Sequence, residues 1–111
     1  MSLTVASKFE NRVGQITLVG RLDANTVGAF KTEIEKVAAN KPETLVLFVE
    51  QLEYMASAGI RMLVFTKQKL GAAVDIYVVA ANEQIVNTLE MTGVDKSVIF
   101  VDEFEPAAST R

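Results

Sequence analysis

Leu45-Val46-Leu47-Phe48-Val49 is an uninterrupted apolar run near the middle of the chain, bounded by Thr44 and Glu50. Short apolar runs with polar residues at both ends are typical of strands that are covered on both faces. We therefore predict that residues 45–49 form a central strand of a mostly parallel sheet.

A segment of small residues connects this strand to the pattern of a helix. It reads Glu53-Tyr54-Met55-Ala56-Ser57-Ala58-Gly59-Ile60-Arg61. Residues 58–70 then place apolar side chains at helical spacing, and Gly71 is a natural helix terminator. The predicted buried stripe of this helix consists of Ile60, Leu63, Val64, Lys67 and Leu70.

Two strands and a helix are predicted on the N-terminal side. Residues 5–9 and 13–20 alternate loosely between apolar and polar side chains around a short turn, as in an antiparallel hairpin. Asp23 and Asn25 then offer side-chain oxygens for the start of a helix. The apolar positions of that helix recur at steps of three and four residues, at Val27, Phe30, Ile34 and Val37.

The C-terminal side continues the alternation of strand and helix. Residues 76–79 predict a buried strand, Asn82 begins a third helix that ends near Gly93, and residues 98–101 predict a last strand. The predicted order is ββαβαβαβ, an α/β fold in which helices pack over the sheet through right-handed crossovers. We expect a single domain over residues 1–111, with about 103–111 as a weakly ordered tail.

The composition is that of a folded domain with few groups for catalysis. Of 111 residues, 50% are hydrophobic and 23% are charged, far from the polar composition of disordered chains. The chain has no cysteine and no histidine, which removes thiolate nucleophiles, sulfur-rich zinc sites and the commonest general base. We expect no enzyme activity, no metal and no cofactor.

The charges argue against a nucleic-acid or membrane partner. The net charge is −3 and the eleven basic residues are scattered, whereas binding to a phosphate backbone needs clustered Lys and Arg. Lys8, Glu10 and Arg12 fall where a secretion signal needs an unbroken apolar segment, and no run of residues reaches the length of a membrane span. We therefore expect a soluble, cytoplasmic protein.

Ser57 has two interpretations that its position leaves open. As the N-cap of the second helix, its side-chain oxygen would accept a backbone N–H of the first turn. As a phosphorylation site, it would hold the phosphate at the positive end of the helix dipole. Arg61 follows one helical turn later and either contacts that phosphate or lies solvated on the helix surface.

Met62 and Phe65 lie beside the predicted buried stripe of the same helix and three residues apart. They either form an exposed apolar pair, which is a candidate docking patch, or the helix is rotated so that one of them enters the core.

Several of these segments together resemble a known family. They are Gly20-Arg21-Leu22-Asp23, the apolar run at 45–49 followed by Tyr54-Met55-Ala56-Ser57-Ala58-Gly59-Ile60, and Val79 with the helix around 85–93. With them, nearly the whole chain resembles the STAS domains, whose simplest members are the bacterial anti-sigma factor antagonists.

The resemblance implies a protein-interaction domain in a partner-switching pathway. The implied partners are an anti-sigma factor with serine kinase activity and a serine phosphatase. By position, Ser57 corresponds to the phosphoacceptor and Asp23 to the family's acidic residue at the first helix that helps to engage the partner. The implied docking surface consists of Asp23, Ala56, Ser57, Ala58, Gly59, Ile60 and Arg61, to which Met62 and Phe65 are added as the candidate patch.

One position departs from the family pattern and supports an alternative. The well-studied antagonists carry Asp directly before the acceptor serine, where this chain has Ala56. The alternative is a constitutive STAS accessory or scaffold subunit of a transport ATPase or a signalling assembly, without phosphorylation.

Overall fold

The computed structural model describes residues 2–104. Within them the chain forms strands β1 (Leu3–Glu10) and β2 (Val13–Leu22), helix α1 (Val27–Ala38), strands β3 (Thr44–Phe48) and β4 (Leu52–Met55), helix α2 (Ser57–Leu70), strand β5 (Asp75–Val79), helix α3 (Glu83–Thr92), a 3-10 turn (Val94–Ser97) and strand β6 (Ile99–Val101).

The strands form one mostly parallel sheet in the order β1-β2-β3-β5-β6. β1 and β2 are antiparallel, and the other pairs along this path are parallel. Asn11 and Arg12 join the hairpin in the left-handed conformation that a two-residue hairpin turn requires. The α/β class, the hairpin and the central position of the apolar strand are thereby confirmed.

β4 is the element that the predicted order ββαβαβαβ lacks. It pairs in parallel with the last residues of β2, beyond the point where β2 leaves β3. It is only four residues long and its burial does not alternate: Leu52 and Met55 at its ends are buried, and Glu53 and Tyr54 between them are more exposed. Such a short, mixed segment carries no strand pattern, so the sequence does not reveal it.

The main core lies between the sheet and the helices. Ile16 and Leu18 of β2 and Leu45 and Leu47 of β3 face it, and all four are at most 1% exposed. The helices contribute buried side chains spaced three or four residues apart: Phe30, Ile34, Val37, Ile60, Leu63, Ile85 and Leu89. The apolar stripe predicted for α1 therefore reaches the core.

The stripe predicted for α2 is partly wrong. Val64 is 41% exposed, and Gly59, Ile60, Leu63 and Thr66 are the buried positions. Lys67 is half-buried, and its Nζ donates to the carbonyl oxygen of Val74 at 2.6 Å. The helix is thus rotated so that the Val64 side faces outward, while the Lys67 ammonium ties the C-terminal end of the helix to the chain before β5.

The opposite face of the sheet carries a smaller apolar cluster. Val13, Val46 and Val79 are buried there, and the partly buried side chains around them come from strands, from Ala80 directly after β5 and from Phe104. The ring centroids of Phe104 and Tyr77 are 5.2 Å apart. Phe104 therefore packs on this face although it belongs to the predicted tail, of which residues 105–111 lie outside the described part.

Within residues 2–104, no helix combines the length and the apolar character that crossing a bilayer requires.

Candidate functional site

The junction between β4 and α2 is built by Ala56. Its backbone is extended (φ −93°, ψ 177°), and its N–H donates to the Leu22 carbonyl at 2.9 Å, continuing the pairing of β4 with β2. The Ala56 carbonyl accepts the first helical bond, from the Gly59 N–H at 2.9 Å. Ala56 is therefore the N-cap residue, and α2 begins at Ser57.

Of the two interpretations of Ser57, the N-cap of the helix is accordingly wrong. A capping side chain must belong to the last residue before the helix, and that residue is Ala56, which has no oxygen on its side chain. Ser57 is the first helical residue and is exposed, and its hydroxyl makes no hydrogen bond to the described residues. The side chain stands free on the surface at the start of α2.

The residues after Ser57 divide between surface and core. Ala58 is half-buried, whereas Gly59 and Ile60 are buried, Ile60 with 7% exposure. A methyl group on Gly59 would lie 2.7 Å from Leu22 Cδ2 and 2.8 Å from Met55 Cγ. The start of α2 thus lies directly on β2 and β4, and Gly59 and Ile60, which were predicted to line a docking surface, lie beneath the molecular surface.

Asp23 lies beside this junction because Leu22 and Met55 are paired in the sheet. Asp23 and Ser57 therefore follow the carboxyl ends of two neighbouring parallel strands. The Asp23 Oδ1 atom accepts from the backbone N–H groups of Asn25 at 2.9 Å and Thr26 at 3.2 Å. Asp23 fixes the turn before α1, and Thr26, not Asp23 or Asn25, occupies the N-cap position.

A groove runs between α1 and α2 next to this turn. We call it the α1–α2 groove; its volume is about 410 Å³, and it is lined by Ala24, Val27, Lys31, Ala58, Arg61, Met62 and Phe65. Met62 is half-buried and packs against the core, whereas Phe65 remains 38% exposed. The two candidate patch residues therefore differ in exposure and meet along one groove.

Two amide side chains of α3 hold β4 from its other edge. Gln84 Oε1 accepts from the Met55 N–H at 3.1 Å, and Gln84 Nε2 donates to the Met55 carbonyl at 3.2 Å. Asn82 Nδ2 donates to the carbonyls of Leu52 and Glu53, both at 3.2 Å. The backbone just before Ala56 and Ser57 is thus fixed on both sides, by β2 and by α3.

We call these bonds from Asn82 and Gln84 to β4 the clamp from α3 to β4. The sequence predicted the position of Asn82 but not the bonds of the clamp. Asn82 was expected to cap α3, and its Oδ1 accepts from the Ile85 N–H at 3.0 Å, as predicted. The bonds that its amide nitrogen and the Gln84 side chain make to β4 join residues about thirty positions apart in the sequence. The only sequence signal for them is the presence of two amides at the start of one helix, at the N-cap and in the first turn.

Comparison with known proteins identifies the family. The family model described as the STAS domain matches residues 4–107. The chain belongs to the STAS domain family. The resemblance inferred from Gly20-Arg21-Leu22-Asp23 and the segment around Ser57 is thereby confirmed.

STAS relatives match most of the chain. The protein named anti-sigma-F factor antagonist RsfB of Mycobacterium tuberculosis is 30% identical over 96 residues, which are 86% of this chain and 79% of that protein. The crystal structure of an anti-sigma factor antagonist from Mycobacterium paratuberculosis superposes with a TM-score of 0.84 at 26% identity, over 96% of this chain and 92% of that one. The phosphorylated form of SpoIIAA from Bacillus shares the fold, with a TM-score of 0.73 at 18% identity, over 97% and 100% of the two chains.

Proposed function

We propose that this STAS domain is an anti-sigma factor antagonist whose binding is regulated by phosphorylation of Ser57. The observation that carries the proposal is the free, exposed Ser57 side chain at the first position of α2. Because its hydroxyl caps nothing, a kinase can modify it without breaking a bond that the fold needs. The name antagonist, carried by the relative RsfB and by the mycobacterial structure, supports the same function.

Charge explains how the modification would act. A phosphate at the start of α2 brings about −1.5 to −2 charges to the positive end of the helix dipole, so the fold tolerates it. Beside Ser57 the surface consists of the small side chains Ala56 and Ala58, both half-buried. A partner packed closely there would have to desolvate the phosphate, which is costly, so phosphorylation disfavours the complex.

The proposed partner is an anti-sigma factor with serine kinase activity, and a serine phosphatase would reverse the modification. ATP and magnesium belong to the kinase, since the domain itself acts by binding and not as an enzyme. Asp23 lies next to the Ser57 junction and orders the turn before α1, which suits its proposed role in engaging the partner. Arg61 is exposed one turn after Ser57, and we propose that it contacts either the partner or the phosphate.

Ala56 supports a second candidate function, a constitutive accessory or scaffold subunit of a transport ATPase or a signalling assembly. The N-cap position that precedes the serine carries no carboxylate here. If the kinase depends on an acid at that position, Ser57 stays unmodified and the domain binds its partner permanently.

Affinity purification from the native cell tests the two functions. Wild type, Ser57→Ala and Ser57→Asp serve as baits, and Ser97→Asp, at another exposed serine, is the matched control for the added charge. Mass spectrometry reads the bound partners and the phosphate occupancy of Ser57. We expect an anti-sigma kinase on wild type, Ser57→Ala and Ser97→Asp, and its loss from Ser57→Asp. The same partner on all four baits, with no phosphate on Ser57, would establish the constitutive subunit instead.

A further inference from the structure

Two lysine side chains lie over the ring of Phe65, which lines the α1–α2 groove. The Nζ atoms of Lys31 on α1 and Lys69 on α2 each lie 5.9 Å from the centroid of the Phe65 ring. Arg61 lines the same groove one turn before Phe65. This local concentration of positive charge stands out in a chain whose net charge is −3.

The floor of the groove is apolar. Val27, Met62 and Phe65 supply it, and no carboxylate is among the lining residues of the described chain. Asp23 holds the turn before α1, and Glu33 bonds to Ser7 of β1. Glu35, exposed one helical turn after Lys31, lines a separate pocket together with Lys69 and does not line this groove. The groove therefore combines an apolar floor with a cationic rim.

We infer that the α1–α2 groove receives an acidic amphipathic segment of the partner protein. An apolar side chain of that segment would fill the groove over Met62 and Phe65, and carboxylates beside it would meet Lys31, Arg61 and Lys69. Complementary charges of this kind speed association and exclude wrong partners more than they add affinity. The inference rests on the proposed function for the identity of the partner, an anti-sigma factor.

The position of Arg61 connects the groove to the switch. Arg61 follows Ser57 by four residues on α2, so the two side chains are neighbours on the helix surface. A phosphate on Ser57 would pair with Arg61 and bring negative charge to the same end of the groove. The acidic segment would then lose one favourable charge and meet a repulsive one.

A nucleic acid is the other polyanion that such a rim could attract. Three cations beside an apolar floor are few for that purpose, because backbone binding draws its affinity from many neutralised phosphates. The apolar floor has no use in phosphate binding, whereas it gives a protein segment a place for an anchor side chain. The groove therefore favours a protein partner.

Association kinetics with the anti-sigma factor recovered by the purification above test the inference. The test variant is Lys31→Gln with Lys69→Gln, and the control, Lys8→Gln with Lys96→Gln, removes the same charge at exposed sites outside the groove. We expect the test variant to associate about tenfold more slowly at low salt, with the difference disappearing at high salt, and the control to behave as wild type. Equal rates for test variant and wild type at both salt concentrations would overturn the inference.

The result separates this inference from the proposed switch. If Ser57→Asp has no effect and the groove variant associates slowly, the inference about the groove stands and the proposed phosphorylation switch is wrong. The reverse pattern would contradict the inference about the groove alone.

A second test needs no natural partner and uses two synthetic helical peptides with the same leucine face, one flanked by glutamate and one by lysine. The glutamate peptide should shift the NMR signals of Met62 and Phe65 and the lysine peptide should not; equal shifts, or none, would contradict the inference. Shifts of these signals by a mixed-sequence DNA duplex, in place of the glutamate peptide, would assign the groove to nucleic acid.

Discussion

Gly59 is the residue on which the close approach of α2 to the sheet depends. Gly59→Ala would place a methyl group within 2.7 to 2.9 Å of Leu22 and Met55 side-chain atoms. Overpacking of this kind typically costs about 1–3 kcal/mol, so we expect the variant to unfold at lower urea concentration.

Gly28 provides the matched control. It lies in the first turn of α1, is exposed, and an added methyl group there meets nothing within 4 Å. Gly28→Ala should therefore stabilise the protein by about 0.5–1 kcal/mol, since alanine is the better helix residue. Equal effects of the two substitutions would refute the close packing at Gly59.

Substitutions at the N-terminal ends of α2 and α3 should differ in their effect on stability. Ser57→Ala should change the free energy of unfolding by less than about 0.5 kcal/mol, because the hydroxyl bonds to no described residue. Asn82→Ala removes the cap to Ile85 and two bonds to β4, and should cost about 2 kcal/mol. Asn82→Asp keeps the capping oxygen but not the amide donors, so its loss of stability in urea unfolding should fall between the two.

At the start of α2 the sequence pattern misplaces the N-cap by one residue, at Ser57 instead of Ala56. A serine before a helical pattern favours an N-cap, yet helix boundaries are uncertain by one or two residues. Here the last bond between β4 and β2 holds Ala56 in the extended conformation and moves the cap to it. That bond joins distant parts of the chain, so no local pattern contains it.

Among the elements, the clamp from α3 to β4 should control the mobility of the segment that ends at Ser57. Gln84→Ala leaves the Met55 N–H and carbonyl without their partners, so the Met55 amide should exchange with solvent at least tenfold faster. Gln68→Ala, at an exposed glutamine of α2, is the matched control and should leave Met55 unchanged. Hydrogen exchange followed by NMR measures both, and an unchanged Met55 rate in Gln84→Ala would contradict the clamp.

The contact of β1 with α1 gives stability a pH dependence. The hydrogen bond from the Ser7 hydroxyl, followed by the bond and charge of Lys36, lowers the pKa of Glu33, although burial opposes the shift. A lowered pKa in the folded state means stabilisation that is complete above the ordinary glutamate pKa, about 4.3, and is lost as the pH falls through the folded value.

Glu33→Gln should therefore destabilise the protein at pH 7 and less so at pH 3. Glu35→Gln, at an exposed position of the same helix, is the control and should show a smaller difference between the two pH values. Urea unfolding at both pH values measures the effect. A cost for Glu33→Gln that grows toward acid pH would contradict the sign.

Long elements with a clear period are predictable, and short ones depend on partners. The apolar run of residues predicts β3, and the apolar stripe at steps of three and four residues predicts α1. β4 does not, because four residues are too few for a period and its pairing with the end of β2 is decided by the fold. Val64 was misassigned for a related reason: α2 has apolar side chains around much of its surface, and only packing selects the buried face.

For the whole molecule, we expect phosphorylation to change binding without changing the fold. Ser57 is exposed at the positive N-terminal end of α2, where a negative charge interacts favourably with the helix dipole. Ser57→Asp should therefore leave the free energy of unfolding unchanged or raise it by about 0.3–1 kcal/mol. Thermal unfolding tests the stability. NMR shift changes should stay near the start of α2; changes spread through α3 and β6 would indicate refolding.

The arrangement of the sheet and helices is predictable from the alternation of strand and helix patterns. Which residues are buried on each face of the sheet is not. Val46 and Val79 read as buried residues in the sequence, and the structure buries them on the face without helices, where Phe104 joins them. Nothing near residue 104 in the sequence indicates that contact. The same holds for the α1–α2 groove, which exists only once two helices distant in sequence pack together.

The amides of Asn82 and Gln84 also oppose self-association through the edge of β4. A strand with an open edge invites another chain to pair with it, and repeated pairing leads to polymers. β4 lies at such an edge directly before the proposed docking surface, yet its outward backbone groups at Leu52, Glu53 and Met55 already have bonds. At β4, these bonds leave a second copy of the domain no free backbone group at the same positions with which to extend the sheet.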